Sequence, residues 1–140
     1  MSTIDDAARW RDERRAAAAA HADALTRKQQ AESQQARRLI AEFVERALRT
    51  GPAPVELRAR SYDGRARYRT PLHGWYLRRD ESVAVDTAGE FYVLSAPSSL
   101  GARLRGVTPA PSDPPLVLGA GGKDGESLDL TQALARVLEG

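Results

Sequence analysis

Six side chains around one predicted turn carry the strongest chemical signal in the chain. From Val55 to Ala59 apolar residues alternate with Glu56, Arg58 and Arg60, and Asp63-Gly64 has the composition of a two-residue hairpin turn. A turn there sets Tyr62 opposite Arg65, Arg60 opposite Arg67 and Arg58 opposite Arg69, all six on one side of the strand pair. Directly opposed like charges destabilise a sheet, so solvent, acids on neighbouring strands or an external anion must compensate. A strand surface of arginines and an aromatic is one way to hold single-stranded nucleic acid, by phosphate neutralisation and base stacking. The alternative is a solvated face whose arginine stems cover apolar surface and whose guanidinium groups pair with Asp80, Glu81, Asp86 or Glu90. The solvated face is the expectation, and polyanion binding through Arg58, Arg60, Tyr62, Arg65, Arg67 and Arg69 is the runner-up.

The other chemical possibilities are weaker. The glycine-rich segment from Gly119 to Gly125 precedes a predicted helix, as phosphate loops do. A phosphate loop needs glycine where Val117 stands and Ser or Thr where Asp124 follows Lys123, so a flexible connector is expected. His21 and His73 have no Cys or carboxylate at ligand spacing, and no metal site is predicted. His73, Ser95 and Asp86 have the residue types of a hydrolase triad, but no nucleophile elbow accompanies them. Trp75, Tyr76, Phe91 and Tyr92 are expected in the core and at its margins. No catalytic residue, cofactor or metal is implied, and the chain is expected not to be an enzyme.

Composition agrees. The 140 residues suit one domain with an appendage, and the formal charge of +2 is too small to argue for nucleic acid from the total. Its placement is more telling, since residues 55–80 hold seven arginines against Glu56, Asp63 and Asp80. Cysteine is absent, which removes disulfide frameworks and thiolate chemistry and fits a cytoplasmic location. No 18-residue apolar run exists, so no membrane span is predicted. Arg14-Arg15 before five alanines faintly resembles a secretion signal, against which stand Asp5, Asp6 and the interruptions at His21 and Asp23.

The elements that position these residues begin with a helix. The first glycine is Gly51 and the first proline Pro52, which predicts one helix over residues 3–49, about 70 Å long. The rest of the chain, if compact, makes a globule about 30 Å across. Such a helix must project, break or pair with another copy. Thr3 is the expected N-cap, Asp5 and Asp6 favour the first turn, and Asp5/Arg9, Asp23/Arg27, Glu42/Arg46 and Glu45/Arg49 are acid-first pairs at i,i+4. From Ala36 onward, Leu39, Ile40, Phe43, Val44, Ala47 and Leu48 form an apolar stripe that must be buried. Before Ala36 a heptad through Ile4, Ala8, Arg11, Arg15, Ala18, Ala22, Leu25, Gln29 and Glu32 is only partly apolar, which favours an alanine-faced antiparallel or multi-helix packing over a leucine zipper.

After Pro54 the period becomes two. Strands are predicted at 55–60, 65–70, 73–78, 83–86 and 91–95, with Gly89 at the left-handed position of a three-residue loop. Residues 96–127 read as irregular, with extended pieces at 103–107 and 116–118. Asp129 and Gln132 form a capping box opening a last helix whose Leu130, Leu134, Val137 and Leu138 share a face.

The predicted architecture is therefore α+β: a projecting oligomerisation helix over 1–35 and a small domain over 36–140. The domain comprises helix 36–49, an antiparallel meander over 55–95 of about five strands, the irregular segment and helix 129–138. Its first helix is expected on the sheet face carrying Val83, Val85, Phe91 and Val93. The function expected is that of a cytoplasmic, self-associating interaction or scaffold protein. It forms a dimer or tetramer through Ile4, Trp10, Ala18, Ala22 and Leu25 and engages a further protein partner.

Overall fold

The computed structural model describes residues 3–119 and 127–140. Apart from Gly119, the glycine-rich segment with Lys123 and Asp124 lies outside the described residues. The chain divides into two compact units, Met1–Glu32 and Ser33–Gly140, and one helix, α1 (Thr3–Thr50), contributes to both.

The first unit is helical through all its described residues, and each of them is exposed. Thr3 is the first described residue of α1, and Asp5 and Asp6 lie in its first turn, where carboxylates favour the positive end of the helix dipole.

In the second unit α1 buries Ala36, Ile40, Phe43, Val44 and Ala47, with Leu39 half-buried. Leu48, expected in the same stripe, is 55% exposed. At about 100° per residue it falls well to one side of the line through Ile40, Phe43 and Ala47. The Glu45–Arg49 pair forms at 3.8 Å, and the Gly51 N–H closes the helix on the Ala47 carbonyl at 2.8 Å.

Five strands form one sheet: β1 (Val55–Ser61), β2 (Arg67–Tyr76), β3 (Val83–Asp86), β4 (Phe91–Val93) and β5 (Ser95–Ala96), in the order β4-β3-β2-β1-β5. All pairings are antiparallel except β5 on β1. The predicted second and third strands are one strand, β2, which runs through the exposed Pro71. A register shift between Glu56 and Arg58 absorbs the proline. There the Thr70 hydroxyl donates to the Leu57 carbonyl at 2.5 Å and accepts from Leu72 N–H at 3.2 Å.

Between β3 and β4, Gly89 takes φ 85°, and the Asp86 carboxylate accepts from the N–H groups of Ala88 and Glu90 at 3.0 and 2.9 Å. Only glycine adopts that backbone without strain, so the three-residue loop is of the expected kind.

After the sheet come α2 (Leu100–Arg105), the small pair β6 (Val117–Leu118) and β7 (Leu128–Asp129), and α3 (Leu130–Glu139). The extended piece expected at 103–107 is largely replaced by α2, whose N-cap Ser99 accepts from Ala102 N–H at 2.9 Å. Asp129 is the N-cap of α3 but makes no side-chain capping bond, because it is held in β7 while Leu130 N–H donates to the Leu116 carbonyl at 2.8 Å.

The main core joins Ile40, Phe43 and Ala47 of α1, Leu130, Ala133 and Leu134 of α3, and Trp75, Val85 and Phe91 of the sheet, with Val83 packed against it. Val93, expected there too, is 50% exposed at the end of β4. A second cluster, Leu57, Ala84, Tyr92 and Leu94, lies on the opposite sheet face by the alternation of strand residues.

Candidate functional site

The arginine hairpin has the register its sequence implies: Arg60 is the partner of Arg67 and Arg58 of Arg69, with Ala59 opposite the buried Tyr68. All four arginines are exposed and, by alternation, share one face. The turn is wider than two residues. Ser61 N–H bonds to the Ala66 carbonyl at 2.9 Å, leaving Tyr62 to Arg65 as a four-residue loop. Inside it the Asp63 carboxylate accepts from Ser61 Oγ at 2.6 Å and Arg65 N–H at 3.0 Å, and those bonds hold its carboxyl below the ordinary range. Tyr62 is 72% exposed.

Repulsion across the hairpin is relieved in part from within the protein. Arg67 pairs with Glu81 at 2.5 Å, and Arg69 Nη2 donates to the Leu104 carbonyl at 3.2 Å. Glu81 has φ 62° in a turn closed by its own N–H on the Arg78 carbonyl at 3.0 Å, while Ser82 N–H and Oγ bond to Asp80 at 3.0 and 2.6 Å. Burial raises the Asp80 carboxyl, but the two Ser82 bonds and the charges of Arg78 and Arg60 outweigh it and set it below its usual value. The Arg60 charge is thus partly met by Asp80. Among the described residues neither Arg58 nor Arg60 makes a side-chain hydrogen bond or ion pair, Arg60 meeting only the charge of Asp80, and the Arg58 backbone N–H donates to Tyr76 OH at 2.8 Å.

Sequence patterning did not indicate a polar groove of about 360 Å³ beside the hairpin loop. There Asp63, Arg65 and Tyr68 meet Ser98, Ser99 and Arg103, bringing Arg65 near a second arginine from α2. Ser99, the N-cap of the unpredicted helix, was the local signal that could have revealed it.

The triad residue types do not converge. Asp86 is committed to its loop and to Tyr92 OH, which donates at 2.9 Å. Burial and that bond push the Tyr92 hydroxyl up to about 12. His73 is exposed in β2 opposite Glu56, and Ser95 lies on β5, beyond β1. His21 is exposed in α1. Among the described residues no group of three His, Cys, Asp or Glu side chains is placed to hold a metal ion, and no helix is long and apolar enough to cross a membrane.

The proposed self-association residues are all exposed, with Ile4 at 75%, Trp10 at 57% and Leu25 at 49%. At about 100° per residue Ile4, Ala18, Ala22 and Leu25 line one narrow stripe of α1, and Trp10 stands to one side of it. The Arg14 guanidinium sits 4.7 Å from the Trp10 ring centroid, a cation–π contact on the solvent side. Comparisons with protein-family models, with curated proteins and with solved structures find no match to this chain.

Proposed function

We propose that this chain is a non-enzymatic, self-associating interaction protein of the cytoplasm, assembling as a dimer or tetramer through residues 4–35 and presenting its small α+β domain to a protein partner. One observation supports this most. The described part of the first unit, residues 3–32, is a single helix whose every residue is exposed, and it carries an isoleucine, a tryptophan and a leucine in that state. A lone helix gains stability mainly by burying an apolar face against something else. The stripe of Ile4, Ala18, Ala22 and Leu25 is interrupted by Arg11 and Arg15 on the same line, but at Ala18 and Ala22 it is small enough for another helix to approach closely.

Size-exclusion chromatography with light scattering tests the proposal. The full chain should elute as a dimer or tetramer at tens of micromolar. Removal of residues 1–35 should leave a folded monomer, because the buried stripe from Ala36 onward is retained. A monomeric full chain overturns the proposal.

The unpartnered Arg58 keeps polyanion binding as a second reading. A ligand that binds only the folded state raises its melting temperature by mass action, and phosphate neutralisation weakens steeply with salt. We expect single-stranded DNA to leave the melting temperature unchanged at low salt. Replacing Arg58, Arg60, Arg67 and Arg69 with Ser should cost about 1 kcal/mol or less, since the Arg67–Glu81 pair is half-exposed. A salt-sensitive rise of several degrees with DNA, abolished in the quadruple variant, would instead establish the second reading.

A further inference from the structure

We infer that the end of the second unit built from the hairpin loop and α2 is a contact surface for an anionic lipid bilayer, which it meets without crossing. Among the described residues of that unit, the most exposed large apolar or aromatic side chains are Tyr62 at 72%, Leu100 at 72% and Leu104 at 68%. All three stand at this one end. At about 100° per residue, Leu100, Arg103 and Leu104 share the side of α2 turned away from Ala102, which is buried with Tyr68. Asp63 and Arg65 of the hairpin loop line the same groove as Leu100 and Arg103, so loop and helix make one continuous surface, with Tyr62 next to Asp63 in the loop. Both ends of the helix are tied down. Ser99 N–H donates to Tyr68 OH at 3.1 Å, and Val107 N–H donates to the Arg69 carbonyl at 2.8 Å. The two leucines are therefore held outward by the fold rather than left over from it.

Charge selects the occupant. Arg58, Arg65, Arg103 and Arg105 are exposed and form no ion pair among the described residues. The chain from Phe91 to Ser112 contains no acid. Asp63 is the acid in the groove lining, and its carboxylate is taken up by Ser61 Oγ and Arg65 N–H. Arg69 reaches the Leu104 carbonyl at 3.2 Å and so brings the arginine face up to the end of α2. A single-stranded nucleic acid would use the arginines and Tyr62 but offers two aliphatic side chains no apolar medium. A bilayer interface takes all three kinds of group. Leucines enter the acyl boundary, tyrosine sits at headgroup level, and guanidinium groups meet anionic headgroups while their stems lie against apolar surface. The inference goes beyond self-association and does not depend on it, since none of these residues lies in the first unit.

Sedimentation of the full chain with vesicles tests this. At about 50 mM salt, binding to phosphatidylcholine vesicles containing about 30% phosphatidylserine should exceed binding to phosphatidylcholine alone by at least fivefold, and should fall as salt rises. Leu100→Ser with Leu104→Ser leaves the charge unchanged and should lower that binding at least fivefold, and Arg65→Gln with Arg103→Gln should lower it too. Because all four side chains are exposed, both variants should melt like the parent. The chain has no cysteine, so a Leu104→Cys variant carrying an environment-sensitive fluorophore gives a second readout, a blue shift on mixing with the anionic vesicles. No binding to anionic vesicles at low salt would overturn the inference. So would vesicle binding that the two leucine replacements leave intact, with no blue shift, since the arginines would then be acting alone on any polyanion.

Discussion

Phe43→Ala is expected to destabilise the Ser33–Gly140 unit by about 3 to 5 kcal/mol, the range for deleting a buried phenylalanine. Phe43 is 3% exposed and meets Trp75 edge to face, with ring centroids 5.3 Å apart and planes at 84°. The same ring joins three elements, since Ile40 and Ala47 of α1, Leu134 of α3 and Trp75 of β2 share its cluster. Trp75 cannot move into the space, because its indole N–H is fixed on the Pro52 carbonyl at 2.8 Å. A cavity is left, with the loss of an aromatic pair added to the lost burial. For a domain near 100 residues each kcal/mol lowers the midpoint by about 4 to 8 °C, so the variant should be unfolded or nearly so at 37 °C. Leu25→Ala is the matched control. Leu25 is 49% exposed in the first unit, and its removal should leave the domain's own melting within about 0.5 kcal/mol of the parent while weakening the proposed self-association. Thermal unfolding followed by near-ultraviolet circular dichroism separates the two, and a Phe43→Ala variant that melts like the parent would refute the assignment of Phe43 to the core.

The parts of this fold legible from sequence are those fixed by neighbours along the chain. The absence of glycine and proline before Gly51 reads directly as α1, the 3.6-residue period as its buried face, and the alternation around Asp63 as the register of Arg58 with Arg69. What was illegible depends on distant residues. Pro71 looks like the end of a strand until Thr70 Oγ1 is seen closing on the Leu57 carbonyl, a bond made only once β1 lies alongside. Ser95 reads as the end of the fifth predicted strand and Ala96 as the start of the irregular segment, yet the two pair in parallel with Arg60–Ser61, a partner no local pattern names. The same division runs through the arginine face. Its geometry is a property of one hairpin, whereas its partial compensation draws on the Glu81 carboxylate from the turn before β3 and on a hydrogen bond from Arg69 to the Leu104 carbonyl of α2. Glu81 was among the acids the sequence offered, but the Leu104 carbonyl was not, because α2 itself was read as irregular.

Gly74→Ala is expected to cost about 3 kcal/mol or more, at the upper end of what overpacking does. Glycine inside a strand ordinarily weakens it and persists where another backbone comes close. Gly74 sits in β2 between Val55 of β1 and Asp86 of β3, with strands on both sides. A Cβ there would lie 1.9 Å from the Val85 carbonyl oxygen, 2.7 Å from Asp86 Cα and 2.9 Å from the Val85 carbonyl carbon. All three are backbone atoms, so no side-chain rotation relieves the overlap and β3 must be pushed away from β2. That displacement would strain the Trp75–Val85 and Tyr76–Ala84 pairings and would pull Val85 and Phe91 from the core beneath α1. Gly64→Ala gives the comparison. Gly64 has φ 73°, but a Cβ on it meets only Arg60 Cδ, at 3.9 Å, so its cost should be the backbone strain alone, about 1 kcal/mol. Urea unfolding of the two variants measures the difference directly. If Gly74→Ala falls no further than Gly64→Ala, β2 and β3 do not approach as closely at this point as the geometry requires.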